Sequence, residues 1–240
     1  MVKVLIWMPC GDWKVPIEMA KYLMSLESDG IEIWFWHVVR QIIHRARNIL
    51  MKEAIDWDFD HIRFLDDDNI PEQFDALKIL LADWKDIVTG IYRGRQYPNM
   101  LTVFKEKFDA DWFVEYEPYT NLNVSKWPVV EIANCGTGCV IISRKVICDM
   151  MEKYNEEPFE FPTMKYIKTP EWVEEFTIEA MQKIPDWEWF KMCKKHISED
   201  LLFFERAKRM WYKIYADTRV TLDHIWLAEI VKVGENTFIK

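Results

Sequence analysis

Over the first ninety residues, short apolar runs alternate with segments in which apolar residues recur at helical spacing. This alternation predicts βαβ units and an α/β fold with a mostly parallel sheet flanked by helices. Half of the 240 residues are hydrophobic, enough to pack a single domain. The expected strands are Val2–Met8, Ile31–Trp36, His61–Leu65 and Asp86–Tyr92, and the expected helices are Pro16–Leu26, Gln41–Ala54 and Pro71–Ala82.

The second half of the chain has a less regular pattern. Residues 129–143 indicate a strand, a glycine-containing turn and a second strand, whereas residues 152–196 are acidic, aromatic and interrupted by prolines. The latter segment favours an insertion of short helices and irregular chain. We expect one domain over residues 1–240, with halves at 1–95 and 96–226 and a tail at 227–240. The remaining expected elements are a helix at Ser198–Met210, a strand at Lys213–Ala216, and Thr221–Trp226 leading into the tail.

Charge and cysteine content exclude several classes of protein. Thirty-one basic and 40 acidic residues give a net charge of -9, which argues against a nucleic-acid-binding surface. Five cysteines without a CxxC pair argue against a disulfide framework or a zinc ribbon. We find no apolar run of the roughly 18 to 20 residues that a membrane span needs, and the first residues, MVKVLIWMP, predict a strand instead of a signal peptide. A cytoplasmic protein is expected.

An acidic triplet follows the third expected strand, in the sequence RFLDDDNIP. In open α/β sheets, ligands bind outside the carboxyl ends of the strands, which is where the triplet lies. Asp66 and Asp68 point to the same side of an extended chain, and their oxygens suit Mg²⁺ or Mn²⁺ together with phosphate oxygens and waters. Asp67 points elsewhere and is a candidate acceptor for a ribose or sugar hydroxyl. The alternative is that Asp68 or Asn69 caps a helix near Pro71, which explains one acidic residue and not three.

Several motifs together resemble one enzyme family. In order along the chain they are RARN, FLDDDNIP, IVTGIYRGR, EIANCGTGCVIISRKV and SEDLLFFERAKRMWYKIYADTRVTLDH. This set resembles the GT-A glycosyltransferases, most closely the family-2-like enzymes with an Asp-x-Asp signature, from Val2 to His224. The resemblance implies a Rossmann-like nucleotide-binding fold and a hexosyltransferase-type enzyme with a UDP- or GDP-sugar donor.

The resemblance also implies a metal site. Asp66 and Asp68 would bind a divalent cation that bridges the two phosphates of the nucleotide-sugar, with Asp68 the more direct ligand. His224, in Leu222-Asp223-His224, stands where many such enzymes have a further ligand, and an imidazole favours Mn²⁺ over Mg²⁺. The alternative is a histidine that simply ends a strand.

A second acidic pair, Glu199-Asp200, follows Ser198. The resemblance places both carboxylates at the acceptor site, with Asp200 as the general base of an inverting enzyme. The alternative is a helix N-terminus, where a serine cap and acidic residues in the first turn are favoured on their own account.

Further candidates line the expected donor side. The resemblance places Arg47 and Asn48 beside the nucleotide, and Pro9 beside its base; a solvated or ion-paired arginine is the alternative for Arg47. Gly136-Thr137-Gly138 predicts a compact turn that a backbone or sugar approaches closely. The aromatic residues of the insertion are candidates for stacking on an acceptor sugar, namely Trp172, Trp187, Trp189 and Phe190.

The sequence therefore predicts a metal-dependent transferase that moves a sugar from a nucleoside-diphosphate sugar to an acceptor hydroxyl. The acceptor is a glycan, lipid, protein or small molecule. Two alternatives stay open. A sugar nucleotidyltransferase would carry a glycine-rich basic segment after the first strand, where this chain has PCGDWKVP with one glycine. A protein that binds nucleotide-sugars without turnover would keep the same acidic motif.

Overall fold

The chain is described by a computed structural model. The structure describes residues 1–10, 15–26, 29–39, 43–94, 100–108, 114–120, 122, 128–156, 160–168, 174–183, 198–224, 230–233 and 236–239. The helices are α1 (Ile17–Ser25), α2 (Ile43–Asp56), α3 (Ala76–Ala82), α4 (Arg144–Glu156) and α5 (Glu199–Arg209). Strands β1 to β8 are Val2–Cys10, Ile31–Val39, His61–Leu65, Asn69–Pro71, Ile87–Ile91, Val103–Phe108, Val114–Pro118 and Val129–Ile132. Strands β9 to β15 are Asn134–Cys135, Cys139–Ser143, Glu160–Lys168, Glu174–Lys183, Ile214–His224, Ile230–Val233 and Asn236–Ile239.

An eight-stranded sheet organises the fold. Its order is β2-β1-β3-β10-β5-β13-β4, with β8 paired to β13. Strands β2, β1 and β3 are parallel, β5 and β13 are parallel, and the antiparallel β10 lies between β3 and β5, so five strands run in one direction. The predicted α/β class with a mostly parallel sheet is confirmed.

The residues of the strands alternate between two cores, as the period of a strand requires. Leu5, Trp7 and Phe64 enter one core, which α2, α4 and α5 cover with residues such as Leu50 and Phe203. On the other face Val4, Ile6 and Leu65 pack under α1 and α3. Because both faces are buried, β1 is a nearly continuous apolar run in the sequence, whereas β3 also contains His61 and the buried Arg63. The described helices include none with the length and apolar character needed to cross a membrane.

Three local predictions differ from the structure. The strand expected at Lys213–Ala216 continues without a break to His224 as β13, so it includes Thr221, where a separate segment was expected. Residues 69–71 form β4, which pairs with Leu222–His224 of β13, so the helix expected from Pro71 begins only at Ala76. Proline is tolerated on such a short edge strand. Of the described residues within 152–196, α4 ends at Glu156, and residues 160–168 and 174–183 form the antiparallel strands β11 and β12 where short helices and irregular chain were expected. Strand β11 contains phenylalanine, threonine, tyrosine and isoleucine, and β12 contains phenylalanine, threonine and isoleucine, all of which favour extended chain.

Some elements had no counterpart in the sequence prediction. Helix α4 and the antiparallel set of β7, β6 and β9 were not expected. The set lies beside the end of β5, because Gly136 donates a backbone hydrogen bond to Thr102, which in turn donates to Tyr92. Cys135, Cys139 and Cys148 are free thiols, as expected.

Candidate active site at the carboxyl ends of the strands

The acidic triplet forms a tight connection between β3 and β4. The Asp66 N–H donates to the Gly138 carbonyl at 3.1 Å, and the Asn69 N–H donates back to the Asp66 carbonyl at 3.1 Å. Asn69 then enters β4, and the Asp75 position before α3 makes no side-chain cap. The helix-cap alternative for Asp68 or Asn69 is therefore wrong. The triplet lies at the carboxyl end of β3, between β3 and β4.

Strand pairing brings His224 to the triplet. In the β13–β4 ladder His224 is opposite Asn69, and its Nε2 lies 3.4 Å from Asp68 Oδ1. The other ring nitrogen, Nδ1, lies 2.8 Å from the Arg93 carbonyl oxygen. A carbonyl only accepts, so Nδ1 carries the proton and Nε2 faces the carboxylate.

Arg47 joins the triplet to the second acidic pair. It projects from α2, and its side chain is 4% exposed. Its Nη1 donates to Glu199 Oε1 at 2.9 Å and also to Asp200 Oδ1, while Nη2 lies 3.9 Å from Asp66 Oδ1. Burial acts to lower the pKa of Arg47, but Asp200, Asp66 and Glu199 together raise it above the ordinary value. Arg47 is therefore a permanent buried cation among three carboxylates.

Both N-terminal acids of α5 serve two purposes. Ser198 caps the helix by accepting a hydrogen bond from Leu201 N at 3.4 Å, so the helix-terminus reading of Ser198-Glu199-Asp200 is confirmed. The same turn directs Glu199 and Asp200 to Arg47. Asp200 Oδ2 also accepts from Thr137 N at 3.3 Å. The two interpretations of this segment, a helix N-terminus and part of an acceptor site, are compatible, because both place Glu199 and Asp200 in the first turn of the helix.

The glycine turn of residues 136–138 is closed by neighbouring side chains. A Cβ added at Gly138 would lie 2.4 Å from Asn69 Nδ2 and 2.6 Å from the Tyr92 hydroxyl oxygen. That hydroxyl accepts a hydrogen bond from Gly138 N at 2.8 Å. In this structure, the side chains that closely approach the backbone of the glycine turn are therefore those of Asn69 and Tyr92.

Two carboxyl groups of this region have raised pKa values. Burial raises the pKa of Asp66, and Asp200 and Asp67 add to the rise against the opposing effects of Arg47 and His224. Burial likewise raises the pKa of Glu199, with Asp200 adding to it and Arg47 opposing. Within the described part of the chain, one guanidinium contacts Asp66, Glu199 and Asp200, and a cation bound beside them would lower these pKa values.

The structure brings together most of the predicted site residues. Arg47, Asp66, Asp68, Glu199, Asp200 and His224 form one region at the carboxyl ends of β3 and β13 and the start of α5. Asn48 is buried on α2, Asp67 is half-buried, and Pro9 pairs with Val38 near the end of β1. Trp172, Trp187, Trp189 and Phe190 lie outside the described residues.

Two partners were missed from the sequence. The first is Tyr92, whose ring packs edge-on against the ring of His224, with 6.3 Å between the ring centroids. Burial raises the pKa of the Tyr92 hydroxyl well above its ordinary value. The second is the Arg93 carbonyl, which fixes the imidazole tautomer. Both follow β5 directly, so their place at a strand's carboxyl end was the available signal.

Asp68 and His224 are the residues of this region that could hold a divalent cation. Asp68 Oδ1 and His224 Nε2 lie 3.4 Å apart, and an oxygen together with an imidazole nitrogen is a ligand pair that suits Mn²⁺. Within the described ranges, however, no three histidine, cysteine, aspartate or glutamate side chains are grouped to hold a metal. The guanidinium of Arg47 lies between Asp66 and the two acids of α5, so these carboxylates are separated from one another by a cation. Bound Mg²⁺ commonly takes only one or two carboxylates from the protein and the rest from phosphates and water.

Comparison with known proteins gives the fold alone. No family model and no curated protein matches the chain. Among solved structures, A197 from STIV is 19% identical with a TM-score of 0.56, over 94% of this chain and 86% of A197. TarS 1–349 of S. aureus is 13% identical with a TM-score of 0.47, over 92% of this chain and 59% of TarS. An apo UDP-glucose pyrophosphorylase is 8% identical with a TM-score of 0.46, over 93% of this chain and 92% of that one.

The similarity to A197 shows that the two chains share a fold over nearly their whole lengths. It does not specify a reaction, because one α/β fold supports many unrelated activities. What the chain does must therefore be inferred from the geometry of its site.

Proposed function

We propose that the protein is a metal-dependent glycosyltransferase that moves a sugar from a UDP- or GDP-sugar to an acceptor hydroxyl. One observation carries the proposal. Asp68 and His224 converge, beside the Arg47–Asp66–Glu199–Asp200 cluster, at the edge of the sheet where α/β proteins bind ligands.

The donor half of the site would be formed by the triplet and β13. Asp68 and His224 would hold Mn²⁺ or Mg²⁺, with Asp66 as a further ligand if Arg47 moves away. The hydrogen bond from Nδ1 to the Arg93 carbonyl supports this role, because it presents Nε2 as the ligating atom. A cation bound there would offset the negative charge that develops on the departing nucleoside diphosphate.

Other donor contacts follow from position. Asp67, next to the metal ligands, would accept a hydrogen bond from a ribose or sugar hydroxyl. Pro9 and Asn48 would lie on the nucleotide side. Arg47 is held by carboxylates in this structure, so a contact with a donor phosphate would require it to exchange partners.

The acceptor half would use Asp200 as general base. Its carboxylate would take the proton from the acceptor hydroxyl while that oxygen bonds to the anomeric carbon and the bond to the diphosphate breaks. Arg47 and Thr137 N fix the orientation of the carboxylate, and Glu199 shares the guanidinium. This arrangement serves inversion at the anomeric carbon.

Thermal unfolding tests donor binding first. The wild type would be measured with UDP-, GDP-, dTDP- and CMP-sugars, with and without Mn²⁺, beside Asp68→Ala and the exposed control Asp56→Ala. A ligand at a hundred times its dissociation constant stabilises by about 2.7 kcal/mol. For a domain of this size we expect a rise of roughly 5 to 10 °C, dependent on metal and absent in Asp68→Ala.

Product analysis then separates the candidate reactions. A glycosylated acceptor with a nucleoside diphosphate supports the transferase, whereas a sugar nucleotide with pyrophosphate shows a nucleotidyltransferase. Stabilisation without any turnover leaves a nucleotide-sugar-binding protein. If no nucleotide shifts the unfolding temperature under any condition, the proposal is wrong.

A further inference from the structure

The outer edge of the large sheet is open at β2. Strand β2 stands first in the sheet order and pairs with β1 on its inner side. In the part of the chain that the structure describes, no strand pairs with its outer side. An unprotected edge presents a row of backbone N–H and C=O groups that another strand can pair with.

Large aromatic side chains surround this edge. Trp34, Phe35 and Trp36 of β2 are 44%, 49% and 40% exposed, and Trp57 after α2 is 54% exposed. Trp34 and Trp36 lie 6.0 and 6.3 Å from Trp57, centroid to centroid, and Phe35 points to the other face of the sheet. These four residues are called the aromatic edge below.

The strand carries none of the usual protection against edge pairing. Its sequence, IEIWFWHVV, contains no lysine, arginine or proline, and its one carboxylate is on Glu32. That carboxylate accepts a hydrogen bond from Trp34 Nε1 at 2.8 Å, so it lies along the strand beside the aromatic edge. Protected edges instead place charges or prolines outward.

The strand is complementary to a second copy of itself. In an antiparallel pair centred on Phe35, Phe35 is opposite its own equivalent, Trp34 is opposite Trp36, and Ile31 is opposite Val39. Every such pair shares a face of the extended sheet, and aromatic pairs directly opposite each other stabilise antiparallel strands. The arrangement has twofold symmetry, which is the commonest symmetry of protein dimers.

We infer that the protein forms a homodimer by antiparallel pairing of β2 with β2 of a second copy. The aromatic edge exposes roughly 400 Å² per copy, taking about 200 Å² for each whole aromatic side chain. That is about half of the ~800 Å² per partner of a standard interface, and the paired backbone and flanking side chains would supply the rest. The occupant is a second copy and not an anionic membrane, because the chain carries a net charge of -9.

Sedimentation equilibrium from about 1 to 100 μM tests the dimer. Phe35→Lys would place two like charges opposite each other on the axis, and we expect its dissociation constant to rise at least about tenfold. Phe74→Lys, which changes a 66% exposed phenylalanine away from the edge, is the matched control and should dimerise like the wild type. Because the two chains repel at long range, added salt should tighten the dimer.

A cross-link locates the axis and guards against misfolded variants. Phe35→Cys should give a covalent dimer with a short bismaleimide above the background of the native thiols, whereas Phe74→Cys should not. A monomer at every concentration, or a dimer unchanged by Phe35→Lys, overturns the proposal. A monomer that binds neutral lipid vesicles through the aromatic edge overturns it as well, in favour of a membrane surface.

Discussion

Arg47 and Arg219 each face more carboxylates than one guanidinium neutralises, yet their surroundings differ. Arg219 contacts Asp217 through Nε and Nη2 at 3.0 and 2.6 Å, and Asp83 through Nη2 at 2.7 Å. Asp217 and Arg219 are two residues apart in β13, where the ladder with β5 is irregular between Ala216 and Thr221. The contacts among Asp83, Asp217 and Arg219, called the Arg219 group below, therefore connect the irregular part of β13 to the end of α3.

The carboxylates of the Arg219 group are closed off from solvent. The side chain of Asp217 is 0% exposed and that of Asp83 is 5% exposed. Burial raises the pKa of Asp83 to about 6, with Asp217 adding to the rise and Arg219 opposing it. A ligand has little access to these groups, so their role is structural.

The Arg47 group is assembled from three distant segments and opens toward solvent. Asp66, Glu199 and Asp200 have side chains 30%, 12% and 19% exposed, and only the arginine is fully covered. The comparison teaches that a charge imbalance is not by itself a sign of function. Convergence of distant segments at the carboxyl ends of strands, with the carboxylates still accessible, is the more useful sign.

The largest expected effect comes from Asp68→Ala. Because this change removes the ligand nearest to His224 Nε2, we expect turnover of nucleotide-sugar to fall at least about a thousandfold, or about 4 kcal/mol. Steady-state kinetics at saturating Mn²⁺ measure it. Asp83→Asn in the closed group is the control and should change turnover by less than about threefold. Near-normal turnover in Asp68→Ala would contradict the functional role assigned to the region around the Arg47 group.

Asp200→Asn should have the next largest effect. Loss of the general base is expected to lower kcat by about 10²- to 10⁴-fold, while the KM for the donor changes little. Glu199→Gln keeps the general base, so its kcat should fall less than that of Asp200→Asn. If the two variants lose the same activity, or Asp200→Asn weakens donor binding instead, Asp200 is a binding residue.

A change at Arg47 tests whether it acts as an internal counter-ion. Arg47→Met leaves Asp66, Glu199 and Asp200 without their cation, so Mn²⁺ should bind about ten to a hundred times more tightly. Electron paramagnetic resonance of free Mn²⁺, without nucleotide, measures this directly.

Arg47→Lys keeps the charge and covers the case in which Arg47→Met fails to fold. Because a lysine cannot contact three carboxylates as a guanidinium does, its Mn²⁺ affinity should fall between those of the wild type and Arg47→Met. An unchanged Mn²⁺ affinity in both variants, with weakened nucleotide binding, would instead assign Arg47 to the donor phosphates.

The smallest effect is expected in the Arg219 group. The folded-state pKa of Asp83 is about 6, above the unfolded value near 3.9, so the protein loses stability as the pH rises between these values. Asp83→Asn should remove this loss and stabilise the protein by about 1–2 kcal/mol at pH 7, with no gain at pH 4. Urea unfolding from pH 4 to 8 measures it. Asp56→Asn, at an exposed partner of Lys52, should show no such gain, and destabilisation of Asp83→Asn at pH 7 would contradict the pKa argument.

The periodic part of the fold was predictable because it is locally encoded. Strands β1, β3 and β5 and helix α2 follow from apolar runs and from spacing at 3.6 residues, which depend on near neighbours. Helix α4 was missed because only Ser143, Arg144 and Lys145 separate its first apolar residues from those of β10. Strand β4 was missed because its partner residues, Leu222–His224, are distant in the sequence. The pairing of β11 with β12 was obscured by Pro162 and by the acidic residues at the start of both strands.

The sequence by itself determined that three carboxylates follow a buried strand, and that a serine and two acids begin a helix. Only the tertiary structure decided that the ladder of β13 on β4 brings His224 to Asp68, and that Arg47 reaches both acidic segments. The reason is physical. Strand and helix periods are properties of a few consecutive residues, whereas register between distant strands is fixed by packing of the whole sheet between its two cores.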